Sequence, residues 1–169
     1  MFLTSGRGLK LVFALTAALS MAACSKNPDD ANGLGAGLGG AGAGMATPGS
    51  TQDFISNVGD RVLFETDSTD LTSLGQATLE KQARWLQQYP RYSFTMEGHA
   101  DERGTREYNF ALGARRAETA KNYLLSKGIA ASRMRTISYG KERPVAVCDD
   151  ISCWSQNRRA VTVLNGGNS

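Results

Sequence analysis

Three polar stretches of the sequence carry the side chains that could do chemistry. The first, EGHADERGT at residues 97–105, holds the only histidine of the chain and, two residues later, Asp101. The second, YNFALGARRA at residues 108–117, contains the arginine pair Arg115-Arg116, and the third is NRRA at residues 157–160. A planar guanidinium binds a carboxylate through two parallel hydrogen bonds. Binding of a charged ligand is therefore the first chemistry that these residue types suggest.

The second stretch must form a helix if its side chains are to act together. The pattern predicts a helix over residues 104–127, with Gly128 as its C-cap. Seven residues turn a helix by about 700°, so Asn109 and Arg116 lie on nearly the same stripe, together with Leu112. An arginine on the inward side of a helix is costly unless it meets an anion. We therefore expect Arg116 to face a binding site.

Asp101 precedes this helix and places a carboxylate near its N-terminus. In a site of this kind Asp101 would bind the positive end of a zwitterion and Arg116 the negative end. Helical periodicity leaves an alternative open, in which Asp101 is only a loop or N-cap acid and Arg116 is a solvated surface charge.

The remaining pattern predicts an α+β domain with the order βαβαββ, a mixed sheet and helices packed on one face. A helix over residues 69–90 has Leu71, Gly75, Leu79, Ala83 and Leu86 on one face and stops at Pro90. A polar loop precedes the last strand. The predicted strands cover residues 61–64, 92–97, 135–139 and 160–164.

The N-terminus has the pattern of an export signal. Residues 1–10 carry Arg7 and Lys10 without an acid, and a 13-residue apolar or small-residue run follows up to Ala23. The run is short for a membrane span. Residues 21–24 read MAAC, which predicts a lipobox with Cys24 as the lipidated first residue of the mature chain. An ordinary cleaved signal or an N-terminal anchor helix are the alternatives.

A Gly/Ala-rich segment separates Cys24 from the domain. Residues 24–51 contain no aromatic side chain and show no usable period, so we expect a disordered tether and a folded domain over residues 52–169. Removal of residues 1–23 takes away two positive charges and lowers the formal charge from +3 to +1. A near-neutral chain is a poor candidate for nucleic-acid binding.

Several spaced motifs resemble one family. Residues 62–164 resemble the OmpA-like peptidoglycan-binding domains, and in particular the peptidoglycan-associated lipoprotein (Pal) family. The motifs that carry the resemblance are EGHADERG at residues 97–104, Tyr108-Asn109, Leu112, Arg115-Arg116-Ala117, Ser138-Tyr139-Gly140 and NRRAV at residues 157–161.

The resemblance implies a site for meso-diaminopimelate, a residue of the peptidoglycan peptide stem. In the family the loop aspartate and the second arginine of the helical pair bind this ligand, and they fall on Asp101 and Arg116. The family's helical asparagine falls on Asn109, and the loop with Phe64, Glu65 and Asp67 borders the pocket. Glu65 stands where the family often has Asp.

The resemblance also implies partners and a location. We expect an outer-membrane lipoprotein that faces the periplasm, binds peptidoglycan without covalent attachment, and joins TolB and the other Tol-Pal proteins in envelope constriction during division. Ser25, rather than Asp, follows Cys24, which favours the outer membrane. A wall-anchoring OmpA-like lipoprotein outside the Tol-Pal system and a scaffold without wall binding are the alternatives.

An enzyme is the rival class of protein. His99 lies two residues before Asp101, which could suggest hydrolysis or a metal site, but no nucleophile motif accompanies it. One histidine among scattered acids is a weak metal signal. We expect no catalysis, no metal and no cofactor.

Cys148 and Cys153 are the two cysteines besides Cys24. Export would place them in an oxidising compartment, and four residues in a polar loop separate them, so we expect a disulfide that holds this loop at the edge of the pocket. Two unpaired thiols remain the alternative. A metal site is incomplete, because no histidine is near.

Overall fold

The structure, a computed structural model, describes residues 46–166. The predicted signal peptide, the lipidation site at Cys24 and nearly all of the predicted tether lie outside these residues. Within the described part, no helix combines the length and the apolar character that crossing a bilayer requires.

Residues that come just before Gln52, the predicted start of the domain, already contact the domain. Helix α1 (Thr51–Asp53) begins after Ser50, whose hydroxyl accepts from the Asp53 amide, and continues as a π-helical turn over Phe54–Val58. The hydroxyl of Tyr92 donates to the carbonyl of Gly49 over 2.8 Å. Residues 49–51, which the composition of the segment predicted to be part of the tether, therefore belong to the domain.

A four-stranded mixed sheet forms the framework, as predicted. Its strands are β1 (Arg61–Leu63), β2 (Ser93–His99), β3 (Met134–Gly140) and β4 (Arg159–Asn165), in the spatial order β1-β4-β2-β3. Strand β4 runs antiparallel to both of its neighbours, whereas β2 and β3 are parallel. A parallel pair needs a crossover connection, and helix α3 supplies it.

Two long helices cover one face of the sheet, α2 (Ser73–Gln88) and α3 (Arg106–Ser126). Each starts where a threonine caps it: the hydroxyl of Thr72 accepts from the Gly75 amide, and that of Thr105 accepts from the Tyr108 amide. Helix α2 therefore begins at Ser73, four residues after the predicted start, and Pro90 lies just beyond its end.

The core lies between these helices and the sheet. Leu79 and Leu86 of α2 are fully buried against Phe94 of β2 and the apolar stripe of α3. Burying one leucine stabilises the fold by about 1.5–3 kcal/mol. The stripe on α3 consists of Ala117, Ala120 and Leu124, and Val62, Met96 and Ala160 complete the sheet side.

The segment before β4 is only partly the polar loop that the sequence analysis expected. Helix α4 (Ile151–Asn157) forms there, with the Asp150 carboxylate accepting from the Ser152 amide at its N-terminus. Cys153 lies in this helix and is bonded to Cys148, with the two Cα atoms 5.7 Å apart. The expectation failed because a seven-residue, mostly polar helix has no apolar period to reveal it.

Candidate functional site

Close packing of α3 on β2 positions the residues of the candidate site. Gly98 of β2 faces Gly113 of α3, and a Cβ atom at Gly98 would overlap the carbonyl oxygen of Gly113. The hydroxyl of Ser138 on β3 donates to the carbonyl of Phe110 over 2.7 Å and fixes the same half of the helix. The N-terminal half of α3 is thereby held against the end of β2, where the loop with Asp101 begins.

A cavity of about 260 Å³ opens at this end of the domain. It lies between the loop after β1, the loop after β2 and the first turns of α3. Its lining residues are Thr66, Asp67, Asp101, Arg103, Gly104, Tyr108, Asn109, Leu112 and Arg116.

Arg116 is fully buried at this cavity and lacks a carboxylate partner among the described residues. Its Nε, Nη1 and Nη2 atoms donate to the carbonyls of Ser68 (2.9 Å), His99 (2.9 Å) and Glu65 (3.1 Å). Burial, with the nearby positive charge of Arg158, lowers the pKa of Arg116 to about 10, so it remains protonated at neutral pH. The alternative of a solvated surface charge is therefore wrong.

The position of the Arg116 guanidinium is fixed by its neighbours. Its carbon lies 5.3 Å from the ring centre of Phe64, a predicted site residue that is buried and does not itself line the cavity. A guanidinium has five N–H donors, and the three carbonyls leave two of them for an acceptor in the cavity. Paired N–H donors of a protonated guanidinium are chemically suited to a carboxylate.

Asp101 is the buried acid of the site. The Arg103 guanidinium donates to both of its oxygens (Nε–Oδ1 3.1 Å, Nη2–Oδ2 2.7 Å), and Arg158 approaches Oδ2 to 3.4 Å. Burial alone would raise the pKa of Asp101, but the hydrogen bonds from Arg103 and Arg158 outweigh it and lower the pKa. The N-cap of α3 is Thr105, so Asp101 is not a capping residue.

The structure also locates the other residues predicted for the site. Asn109 is buried in the lining and its amide donates to the Arg103 carbonyl over 2.7 Å. Asp67 lines the cavity with a left-handed backbone (φ 56°) and accepts a hydrogen bond from the Tyr108 hydroxyl. Glu65 differs from the expectation, because its side chain is exposed and only its carbonyl reaches the site.

Sequence reasoning missed several lining residues as site residues. The helical period had placed Leu112 on the stripe that contains Arg116, and Tyr108 lies one helical turn before it, so the same period could have indicated Tyr108. Arg103 left no such signal, because the turn that brings it onto Asp101 is irregular. Trp154 of α4, whose ring lies 4.3 Å from the Arg103 guanidinium carbon, was missed with the helix itself.

His99 lies outside this cavity. It is buried on β2 beside the ring of Tyr139, and its two ring nitrogens make no hydrogen bond in the described part of the chain. Burial, together with the charges of Arg159 and Arg143, lowers the pKa of His99 to about 4, so the ring is neutral at pH 7. Residues 46–166 contain no group of three or more acidic, cysteine or histidine side chains suited to a metal ion.

The chain is similar to proteins of known family. The model of the OmpA family matches residues 63–158. The peptidoglycan-associated lipoprotein of Rhizobium meliloti is 64% identical over 162 residues, which cover 94% of this chain and 89% of the relative. That of Pseudomonas aeruginosa is 39% identical and covers 86% of this chain and 91% of the relative.

Solved structures agree with this assignment. The crystal structure of the peptidoglycan-associated lipoprotein from Burkholderia pseudomallei superposes with a TM-score of 0.64 at 37% identity, covering 68% of this chain and 98% of that chain. The C-terminal domain of Helicobacter pylori MotB shares the fold, with a TM-score of 0.59 at 23% identity and coverage of 63% and 84%. The chain therefore belongs to the OmpA family, and its relatives within that family include peptidoglycan-associated lipoproteins.

Proposed function

We propose that this protein binds peptidoglycan non-covalently, through diaminopimelate of the peptide stem, in the cavity between Asp101 and Arg116. One observation carries the proposal: Arg116 is a buried, protonated guanidinium with spare donors that lines a cavity together with an ionised carboxylate. The names of the relatives, which associate them with peptidoglycan, support the same ligand.

The chemistry of diaminopimelate matches the two charges. Its side chain ends in a carbon that carries both a carboxylate and an ammonium. The carboxylate would accept from Arg116 at the depth of the cavity, and the ammonium would lie against Asp101, with Asp67 as a second acid. A lysine-type stem lacks the carboxylate and would leave the spare donors of Arg116 unpaired, which is the source of selectivity.

The proposal includes an anchor. Lipidation of Cys24 would hold the protein on the periplasmic face of the outer membrane, with the Gly/Ala-rich segment after Cys24 as the tether to the wall-bound domain. The word lipoprotein in the relatives' names supports this arrangement. If it is correct, Cys24→Ser expressed in a Gram-negative host releases the chain from the membrane fraction in folded form. Membrane fractionation equal to that of the wild type would contradict lipidation.

The resemblance to the Pal family extends the proposal to a role in the Tol-Pal system, with TolB as a partner and envelope constriction as the cellular process. Co-purification with TolB from envelopes distinguishes this role from that of a wall anchor outside the system. Recovery of the chain with peptidoglycan but without TolB would favour the second role.

Sedimentation with purified sacculi tests wall binding. We expect the full chain in detergent to pellet with sacculi that contain diaminopimelate and to remain in the supernatant with lysine-type sacculi. Arg115→Ala is the matched control for variants of Arg116, because Arg115 is the exposed neighbour on the same helix. Equal pelleting with both wall types would contradict recognition of diaminopimelate.

A further inference from the structure

Arg103 lies between the acid of the cavity and an aromatic ring from another part of the chain. One side of its guanidinium makes the paired hydrogen bonds to Asp101, and its carbon lies 4.3 Å from the ring centre of Trp154. The side chain of Arg103 is 41% exposed, whereas that of Asp101 is 9% exposed. A long, half-exposed side chain has many rotamers, so the ring and the carboxylate together define its position.

Trp154 belongs to a short segment, residues 145–157, that is cross-linked by a disulfide bond and by side-chain hydrogen bonds. We call this segment the disulfide clip. The indole Nε1 donates to the Glu102 carboxylate over 2.9 Å. The bond between Cys148 and Cys153 links α4 to the irregular part of the disulfide clip that precedes it. At the other end the Asn157 side chain makes three hydrogen bonds to the backbone of residues 145 and 146.

We propose that Trp154 is a positioning residue for the candidate site: its ring holds Arg103 over Asp101, and the Cys148–Cys153 bond holds the ring. The inference rests on the proposed wall binding for its functional consequence. Neither cysteine nor Trp154 belongs to the cavity lining, whereas both Arg103 and Asp101 do. The ring of Trp154 therefore reaches the cavity lining through Arg103, whereas Arg158, which directly follows the disulfide clip, approaches Asp101 on its own.

The consequence for binding follows from the hydrogen bonds of Asp101. Its two oxygens accept from the Arg103 side chain, the Arg103 amide and Arg158. A ligand ammonium must share this carboxylate with Arg103, so the position of Arg103 decides how much of Asp101 the ammonium reaches. A loosened Arg103 would have to be ordered at each binding event, which lowers affinity.

The first test measures Asp101 without any ligand. Carboxyl NMR titration of the full chain in detergent reports the pKa of Asp101, which also faces Arg158 and the buried Arg116. Trp154→Ala should raise this pKa, because Arg103 leaves the carboxylate, and Trp154→Phe, which keeps a ring, should restore it. Ile151→Ala, at an exposed position of the same helix, is the control. An unchanged pKa in Trp154→Ala, or no rescue by Trp154→Phe, would overturn the proposal.

The second test measures affinity for a stem peptide that contains meso-diaminopimelate. A cation–π contact at an exposed site corresponds to about a two- to fivefold change in affinity, so Trp154→Ala should weaken binding by that factor. In Arg103→Ala the same Trp154 substitution should have no further effect. Cys148→Ser with Cys153→Ser should shift affinity and the Asp101 pKa in the same direction as Trp154→Ala. Additive effects of Arg103→Ala and Trp154→Ala on affinity would overturn the positioning role. Wild-type affinity and a wild-type Asp101 pKa in the double cysteine variant would overturn the role of the disulfide.

These readouts separate the inference from the proposed function. If the wild type fails to bind the stem peptide while Trp154→Ala still raises the Asp101 pKa, wall binding is wrong and the contact between Trp154 and Arg103 stands. If the wild type binds and the pKa does not move, the positioning role is wrong and wall binding stands.

Discussion

The hydroxyl of Tyr108 on α3 donates a hydrogen bond to the carboxylate of Asp67, in the loop after β1, across the mouth of the cavity. The same loop supplies the carbonyls of Glu65 and Ser68 that hold Arg116. The hydrogen bond to Asp67 is the main reason that the pKa of Tyr108 is raised. The bond therefore ties the loop that orients the buried arginine to the helix that carries it.

Removal of the Tyr108 hydroxyl tests whether its hydrogen bond to Asp67 contributes to ligand binding. Tyr108→Phe should weaken binding of a diaminopimelate stem peptide by about two- to tenfold, the range for one intramolecular hydrogen bond. Calorimetric titration measures the affinity for the peptide. Tyr139→Phe removes a hydroxyl outside the cavity lining and should bind as the wild type does. Equal affinities for the two variants would show that the bond is not part of the site.

The close contact between Gly98 and Gly113 predicts that one methyl group added at residue 98 strongly lowers the stability of the fold. Gly98→Ala should lower the free energy of unfolding by about 2 kcal/mol or more, because the added Cβ overlaps backbone that cannot move aside freely. Gly75→Ala is the matched control: its Cβ would make ordinary contacts with Leu71, Thr72 and Val62, and the residue lies in α2, where alanine is favoured over glycine. Chemical unfolding of both variants checks the difference, and a tolerated Gly98→Ala would contradict the close approach.

His99 predicts how stability depends on pH. Its folded pKa of about 4 lies below the unfolded value near 6.5, so the unfolded chain binds the extra proton between these two values. Stability should therefore fall by about 3 kcal/mol as pH decreases from 7 to 4 on account of this residue. The groups that face its ring are Arg159, Arg143 and Glu97.

The variant His99→Phe isolates this contribution. It should flatten the profile of unfolding free energy between pH 4 and 6.5. It should leave wall binding at pH 7 unchanged, because the imidazole lies outside the cavity lining and the substitution keeps the backbone carbonyl that accepts from Arg116. Asp101 contributes separately, at lower pH. Its pKa is lowered by folding, so its stabilisation persists above the ordinary value and disappears as pH falls through the folded pKa. A slope in His99→Phe equal to that of the wild type would contradict the assignment.

Regular patterns made much of the fold and part of the site predictable. The four strands and two long helices follow from periodicity and capping residues, and the spacing between Asn109 and Arg116 placed both side chains on the buried stripe of α3. What sequence could not indicate depends on irregular backbone. The three carbonyls around Arg116 come from the irregular loop after β1 and from the last residue of β2, and the pairing of Arg103 with Asp101 depends on a turn.

Helix α4 shows a second limit. Its seven residues bury only Cys153 and Asn157, so no apolar stripe distinguishes it from a polar loop. The one local signal was Asp150, an N-cap residue type whose carboxylate accepts from the Ser152 amide. Because Trp154 lies on this helix, its contact with Arg103 could not be expected before the structure.

The binding of a diaminopimelate stem peptide to Arg116 variants tests the central claim most directly. The measurement is calorimetric titration of the full chain in detergent with stem peptides that contain meso-diaminopimelate or lysine at the same position. Arg116→Lys is the informative variant, because it keeps the charge but cannot form the fork, whereas Arg116→Ala would also strand three buried carbonyls. We predict binding of the diaminopimelate peptide alone, a loss of at least about tenfold in Arg116→Lys, and wild-type affinity in Arg115→Ala. Equal affinity for the two peptides, or full affinity in a folded Arg116→Lys protein, would contradict the account.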